Sequence, residues 1–119
     1  MKYPWIDSFC LSLTGCEKDY QPEWEAYRYM LKKKMFAMCG QDNERRNIIT
    51  VKLEPEIGAL LREQYHEIRP GYYMNKIHWN SVDLNGSVPD EVLKNMIGDS
   101  YNLILHSFSK KLQKEIMES

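Results

Sequence analysis

Tyr27-Arg28-Tyr29-Met30-Leu31-Lys32-Lys33-Lys34-Met35-Phe36-Ala37-Met38-Cys39-Gly40-Gln41-Asp42-Asn43-Glu44-Arg45-Arg46-Asn47-Ile48-Ile49-Thr50-Val51-Lys52-Leu53 is the stretch that decides the fold. Tyr27, Tyr29 and Leu31 alternate with Arg28 and Met30, a period of two that puts successive side chains on opposite faces of a strand. Met35 to Cys39 follows after a lysine-rich turn. Gly40 to Glu44 is a polar loop. Asn47 to Leu53 is a further strand with Ile49, Val51 and Leu53 on one face. Connections this short join antiparallel neighbours, so the stretch reads as a three-stranded meander.

Downstream of the meander, Glu54-Pro55-Glu56 opens a helix, because proline and early carboxylates both suit the first helical turn. Ile57, Leu60 and Leu61 are its expected buried face, and it ends before Pro70. Ile68 to Leu84 holds a second strand pair, with a strand on Tyr72-Tyr73-Met74 and a turn at Asn75-Lys76. In its other strand His78, Asn80, Val82 and Leu84 face one way, and Trp79, Ser81 and Asp83 the other. Asn85-Gly86 is a turn signal. Ser87 is the expected N-cap of the last helix, with Asp90 completing a capping box. Leu93, Met96, Ile97, Tyr101, Ile104, Leu105 and Phe108 form its apolar stripe, and Gly98 within it suggests close packing. Leu112 and Ile116 carry the spacing into the tail. Upstream, Trp5, Ile6, Phe9, Cys10 and Leu13 make one helical stripe over Pro4–Leu13. Helix, three strands, helix, two strands and a long helix give an α+β fold. It is a two-layer sandwich of an antiparallel sheet of about five strands with helices on one face.

A chain of 119 residues fits one domain, spanning 1–119, and buries enough surface for a core without disulfides or a metal. No apolar run approaches a membrane span and the first residues lack a signal core, which points to the cytoplasm. The three cysteines, Cys10, Cys16 and Cys39, form no C-x-x-C pair and read as free thiols in a reducing compartment. Net charge is −1, which argues against a strongly basic nucleic-acid binder. The distribution is uneven, however. Residues 26–52 hold seven basic and two acidic side chains and carry the whole basic excess. Such a segment fits phosphate, and equally fits a lysine-protected sheet edge.

His66, His78 and His106 lie on three different elements, and no nucleophile elbow, H-E-x-x-H pair or phosphate loop is present. The residues therefore point to no catalytic site, no metal site and no cofactor. The most concentrated chemistry is Arg69-Pro70-Gly71-Tyr72-Tyr73-Met74-Asn75-Lys76-Ile77-His78-Trp79-Asn80. Interleaved aromatic, amide and basic side chains can stack on bases while Arg69 and Lys76 meet phosphate. The competing reading puts Trp79 and one tyrosine in the core, Asn75 in the turn, and Asn80 on neighbouring backbone.

That run resembles the signature of the MmcQ/YjbR family: Pro, a small residue, Tyr, Met-Asn-Lys, His-Trp-Asn, a hydroxyl residue and Val. The resemblance takes in Lys34-Met35-Phe36-Ala37, Val51-Lys52-Leu53-Glu54-Pro55-Glu56, Asp83-Leu84-Asn85-Gly86-Ser87-Val88-Pro89-Asp90-Glu91 and Ser100-Tyr101. It covers about Leu11 to Lys111. It implies a frataxin-like two-layer α+β domain and a DNA-binding role through hairpin wings that project from the sheet. Tyr72, Met74, Asn75, His78, Trp79 and Asn80 are then motif residues, structural or binding. The pattern's usual Leu-Pro-Gly is Leu13-Thr14-Gly15 here, and its hairpin glycine is replaced by Lys32 and Lys33. Only Asp7 is acidic in the first helix, so the shared architecture carries no implication of iron chemistry.

Two expectations follow. The first is a non-enzymatic DNA-binding protein that contacts phosphates through Lys32, Lys33 and Lys34 on one hairpin, Arg45 and Arg46 on the next loop, and Arg69 and Lys76 on the second strand pair. The two loop clusters sit at opposite ends of the meander. They can reach phosphates on a duplex whose turn repeats every ~34 Å, but cannot share one compact pocket. The alternative is a protein- or peptide-binding module that uses the sheet face or edge.

Overall fold

The computed structural model describes residues 2–71 and 74–118. Its elements are α1 (Ile6–Ser12), β1 (Glu17–Gln21), β2 (Ala26–Leu31), β3 (Lys34–Gln41), β4 (Asn47–Lys52), α2 (Pro55–Gln64), β5 (Ile68–Pro70), β6 (Trp79–Asp83), α3 (Asp90–His106) and α4 (Lys110–Met117). The strands form one six-stranded sheet in the order β1-β2-β3-β4-β6-β5, antiparallel at every pairing. The α+β architecture read from the sequence holds, with one strand more than about five.

Period two explains the layering. Tyr29, Ala37, Val51 and Asn80 are cross-strand neighbours, as are Cys39, Ile49, Val82 and Ile68, and these rows point at the helices. With Leu93, Met96, Ile97, Tyr101 and Ile104 of α3 they make one continuous core. Each fully buried aliphatic or aromatic side chain there contributes about 1.5–3 kcal/mol. Ser100 fastens α3 to the sheet: its hydroxyl donates to the Phe36 carbonyl at 2.6 Å and accepts from the Lys52 N–H at 2.8 Å. Asp7 does the same for α1, accepting from Lys18 at 2.6 Å and from the Tyr29 hydroxyl at 2.8 Å. The opposite face carries the row Asp19, Arg28, Met38, Thr50, Ser81 and Arg69, one residue from each strand.

Several sequence expectations are corrected. β1 was not anticipated because it is exposed along nearly its whole length and so shows no apolar alternation. α1 is shorter than Pro4–Leu13, since Pro4 and Trp5 form a turn before it. The strand that pairs with β6 is β5, Ile68–Pro70. The strand expected on Tyr72-Tyr73-Met74 falls partly on Tyr72 and Tyr73, which lie outside the described residues, and Met74 is in a bend. The Asn75-Lys76 turn is present: the Asn75 side chain accepts from the Ile77 N–H at 2.8 Å. Of the apolar face expected on α2, Ile57 and Leu60 are exposed and only Leu61 packs toward the core.

Ser87 is not the N-cap of α3. That position is Pro89, with no side-chain cap bond. The Ser87 hydroxyl and N–H instead donate to the Glu67 carboxylate at 2.7 and 2.9 Å. The tail is helical but separate, capped by Ser109, whose side chain accepts from the Leu112 N–H at 3.2 Å.

Gly98 is not a close-packing site, because a Cβ added there meets nothing within 4 Å. Glycine inside a helix costs about 0.8–1.0 kcal/mol relative to alanine. Gly98→Ala is therefore expected to raise the thermal midpoint by roughly 3–5 °C, measurable by calorimetry. An unchanged or lowered midpoint contradicts the open space seen beside α3.

The Ser87 hydroxyl and N–H hold the Glu67 carboxyl at about 2, well below the usual carboxylate range. A depressed folded-state pKa stabilises the fold above the ordinary value and loses that contribution as pH falls toward 2. The difference in thermal midpoint between wild type and Glu67→Gln should therefore shrink as pH is lowered from neutral into the acid range. A difference constant with pH refutes the ionised pairing.

Candidate nucleic-acid interface

Lys32 and Lys33 form the two-residue turn between β2 and β3, with Lys32 in the left-handed region at φ 55°. Both side chains are exposed. Lys34 opens β3. Its ammonium donates to the Ser107 hydroxyl at 2.9 Å and lies 4.7 Å from the centre of the Phe108 ring. These contacts bind the hairpin to the junction between α3 and α4, and so bring Lys110 and Lys111 of α4 to the same end of the molecule. Farther along α4, Ile116 shares a cleft with Gly15, Cys16, Glu17 and Lys32. Leu112 and Ile116 pack inward, which turns Lys110, Lys111 and Lys114 to solvent.

The result is a patch of six exposed lysines: Lys32, Lys33, Lys34, Lys110, Lys111 and Lys114. None of them makes an ion pair among the described residues. Glu17 and Glu115 stand near it, and neither pairs with it among the described residues. Two lysines occupy the first turn of α4, where no acidic residue is present. That arrangement opposes the helix dipole, so it does not serve the stability of α4. Sequence reasoning found the first three lysines and missed the other three, because only the tertiary contact of Lys34 with Ser107 and Phe108 unites them.

Of the other predicted residues, Arg45 and Arg46 lie beyond the far end of β3, about 25 Å away along a strand of eight residues, while Arg69 stands midway along the sheet, in the row of Ser81, Thr50 and Met38. Arg45 is exposed, at φ 61°. Arg46 is neutralised: it reaches Asp42 at 2.7 Å and Glu44 at 3.2 Å. Desolvation would raise the Asp42 carboxyl, but the Arg46 N–H and guanidinium and the Glu44 N–H, all donating to it, hold it below its ordinary value. Arg46, Arg69 and Lys76 line one cleft with Ser81, but Asp42, Glu67 and Asp83 line it too, so its charge balances. Arg69 is exposed and makes no side-chain bond among the described residues, while Lys76 donates to the Gly71 carbonyl at 3.0 Å. The two loop clusters thus stand apart, as the meander geometry requires, and the free positive charge is concentrated at the lysine end.

The motif residues divide by role. Asn80 is fully buried; its amide oxygen accepts from Arg62 of α2 and its amide nitrogen donates to the His78 carbonyl at 3.2 Å. The His78 carbonyl also accepts from the Leu53 N–H at 2.8 Å. Asn80 is therefore a pin between α2 and the sheet and presents nothing to a ligand. Asn75 shapes its turn. Met74 and Trp79 are half-buried, Trp79 on the sheet face away from the helices. Tyr72 lies outside the described residues.

Nothing in the described residues assembles a reactive centre. Burial pushes the Cys16 thiol to about 11 and Cys39 to about 12, and raises Cys10 further. All three remain protonated at neutral pH. No group of His, Cys, Asp or Glu among the described residues could hold a metal ion, and no helix is long and apolar enough to cross a membrane.

Residues 11–103 match the family model described as YjbR. The Escherichia coli (strain K12) protein YjbR, itself described as uncharacterised, is 29% identical over 110 residues, covering 92% of each chain. The uncharacterised protein YbdF of Escherichia coli O157:H7 is 31% identical over 99 residues, 82% of this chain and 77% of that protein. Among solved structures, the crystal structure of a Deinococcus radiodurans protein superposes with a TM-score of 0.82 at 31% identity, over 93% of this chain and 84% of that one. A Pseudomonas syringae protein superposes at 0.71 with 25% identity, over 87% and 98%.

Proposed function

The chain belongs to the YjbR family, and from that premise we propose that it is a non-enzymatic DNA-binding protein that grips the phosphate backbone through its basic loops. The observation that carries this reading is the patch of six exposed lysines, none in an ion pair among the described residues, built from the β2–β3 hairpin and α4, on a protein whose net charge is −1. Unpaired ammonium groups concentrated on one surface release counterions when they meet phosphate, which is the dominant sequence-independent term in DNA affinity. Lys32 and Lys33 project from a hairpin and Lys110, Lys111 and Lys114 from an adjoining helix, so the surface suits backbone contact. Arg45, at the other end of the sheet, and Arg69, midway along its β5 edge, supply further points of contact at spacings a duplex can satisfy.

The half-buried or buried placement of Trp79, Met74 and Asn80 favours phosphate contact over base stacking. Duplex DNA is accordingly the expected ligand, with little sequence preference. The direct test is titration of a labelled duplex and a labelled single strand with the purified protein at low salt. Tighter binding of the duplex supports the reading, and absence of binding to either strand form refutes it.

A further inference from the structure

We propose that the groove between α2 and α3 docks a segment of a partner protein in which apolar side chains are flanked by lysine or arginine. Leu53 is buried at the floor, and Ile57, Leu103, Glu54, Asp99, Asn102 and His106 complete a cleft of about 500 Å³ including its solvent-open mouth. On α2, Ile57 is 42% and Leu60 55% exposed, one helical turn apart. Apolar side chains so placed usually cover a core, yet nothing in the described residues covers these.

The charges around the groove are of one sign. Glu54, Glu56 and Asp99 line it or its continuation past Pro55, and none of their carboxylates has a hydrogen bond or ion pair among the described residues. No lysine or arginine among the described residues lines it. Arg62, the one cation of α2, is turned inward to Asn80. Desolvation raises the Asp99 carboxyl above its usual value, so this group gains from a cation set beside it. An apolar channel with unpaired carboxylates along its rim matches the way helical grooves receive amphipathic segments: apolar anchors fill the channel and charges at the rim set orientation. The same acids repel a nucleic acid, so docking here does not depend on the DNA-binding reading, even though the His106 end of the groove adjoins Ser107, which bonds Lys34 of the lysine patch.

The test uses the full chain and a fluorescently labelled model peptide of leucine and lysine at helical spacing, beside a counterpart with glutamate for every lysine. The expected result is binding of the lysine peptide alone, weakened about tenfold or more by Ile57→Ser/Leu60→Ser and by Glu54→Gln/Asp99→Asn. These side chains are exposed, so the variants keep their fold, which circular dichroism verifies. Substituting Lys32, Lys33, Lys110 and Lys111 by glutamine is expected to leave peptide binding unchanged. The proposal is overturned if the lysine peptide does not bind, if the glutamate peptide binds equally well, or if the groove variants bind like wild type. It is also overturned if wild type sediments as a dimer that Ile57→Ser/Leu60→Ser converts to monomer, because the occupant is then a second copy of this chain.

Discussion

Asn80→Ala is expected to lower the unfolding free energy by about 2–4 kcal/mol, a fall of roughly 8–16 °C in thermal midpoint for a chain this size. The side chain is fully buried, and its amide oxygen is the partner of the Arg62 guanidinium. Truncation leaves that guanidinium, half-buried under α2, without an acceptor, and opens a small void beside Gly58. A Cβ on Gly58 would already sit 3.0 Å from both amide atoms of Asn80. Hydrogen bonds to charged groups contribute about 1.5–3 kcal/mol, and the void adds to that. Arg62→Ala should cost less, because the removed group is partly solvated. The double variant should cost less than the sum of the two, with a coupling of about 1 kcal/mol or more. Equilibrium urea unfolding of the four proteins measures it. Additive costs would mean that Asn80 does not pin α2 through Arg62.

Replacing Lys32, Lys33, Lys110 and Lys111 by glutamine is expected to weaken duplex binding about 30- to 1000-fold at low salt. This takes each exposed ammonium–phosphate contact at roughly 0.5–1 kcal/mol. Lys34 is left in place because it bonds Ser107 and lies over Phe108, and its loss would confuse binding with packing. The four chosen side chains are exposed and make no side-chain bond among the described residues, so the thermal midpoint should hardly move. Removing Lys110 and Lys111 from the first turn of α4 should if anything favour that helix. A matched variant in Lys32 and Lys33 alone should produce about half the effect on a logarithmic scale. If it accounts for all of the loss, α4 does not take part.

Sequence periodicity revealed those elements that bury one face. β2, β3, β4 and β6 each set apolar or small residues against a helical layer, and a period of two follows from that burial. α3 shows its stripe for the same reason. β1 and β5 lack the signal: β1 is an exposed edge rich in charge, and β5 is three residues long with Pro70 at its end. α2 misled because Ile57 and Leu60 lie on its exposed side, where propensity and spacing suggest burial. Ser87 was read as a cap from local chemistry, while a carboxylate twenty residues upstream took both its donors.

The candidate site was legible only in part. The run of Lys32, Lys33 and Lys34 stands out in the sequence, and so does the separation of Arg45 and Arg46 from it. That Asp42 and Glu44 neutralise Arg46 is a local pairing that spacing alone does not distinguish from a free cation. Lys110, Lys111 and Lys114 are seventy and more residues from the hairpin, and only packing of Leu112 and Ile116 beneath α4 orients them. Asn80, conspicuous in the motif, proved to be an internal fastening, which its place on the core-facing side of β6 foreshadows.

The central claim, that the lysine patch meets the DNA backbone, is tested most directly by the salt dependence of duplex binding. The six lysines should contribute about −5 to the wild-type log–log slope, and the slope of the four-lysine variant should be shallower by about 3 to 4. A wild-type slope near zero, or equal slopes for the two proteins, would contradict the account.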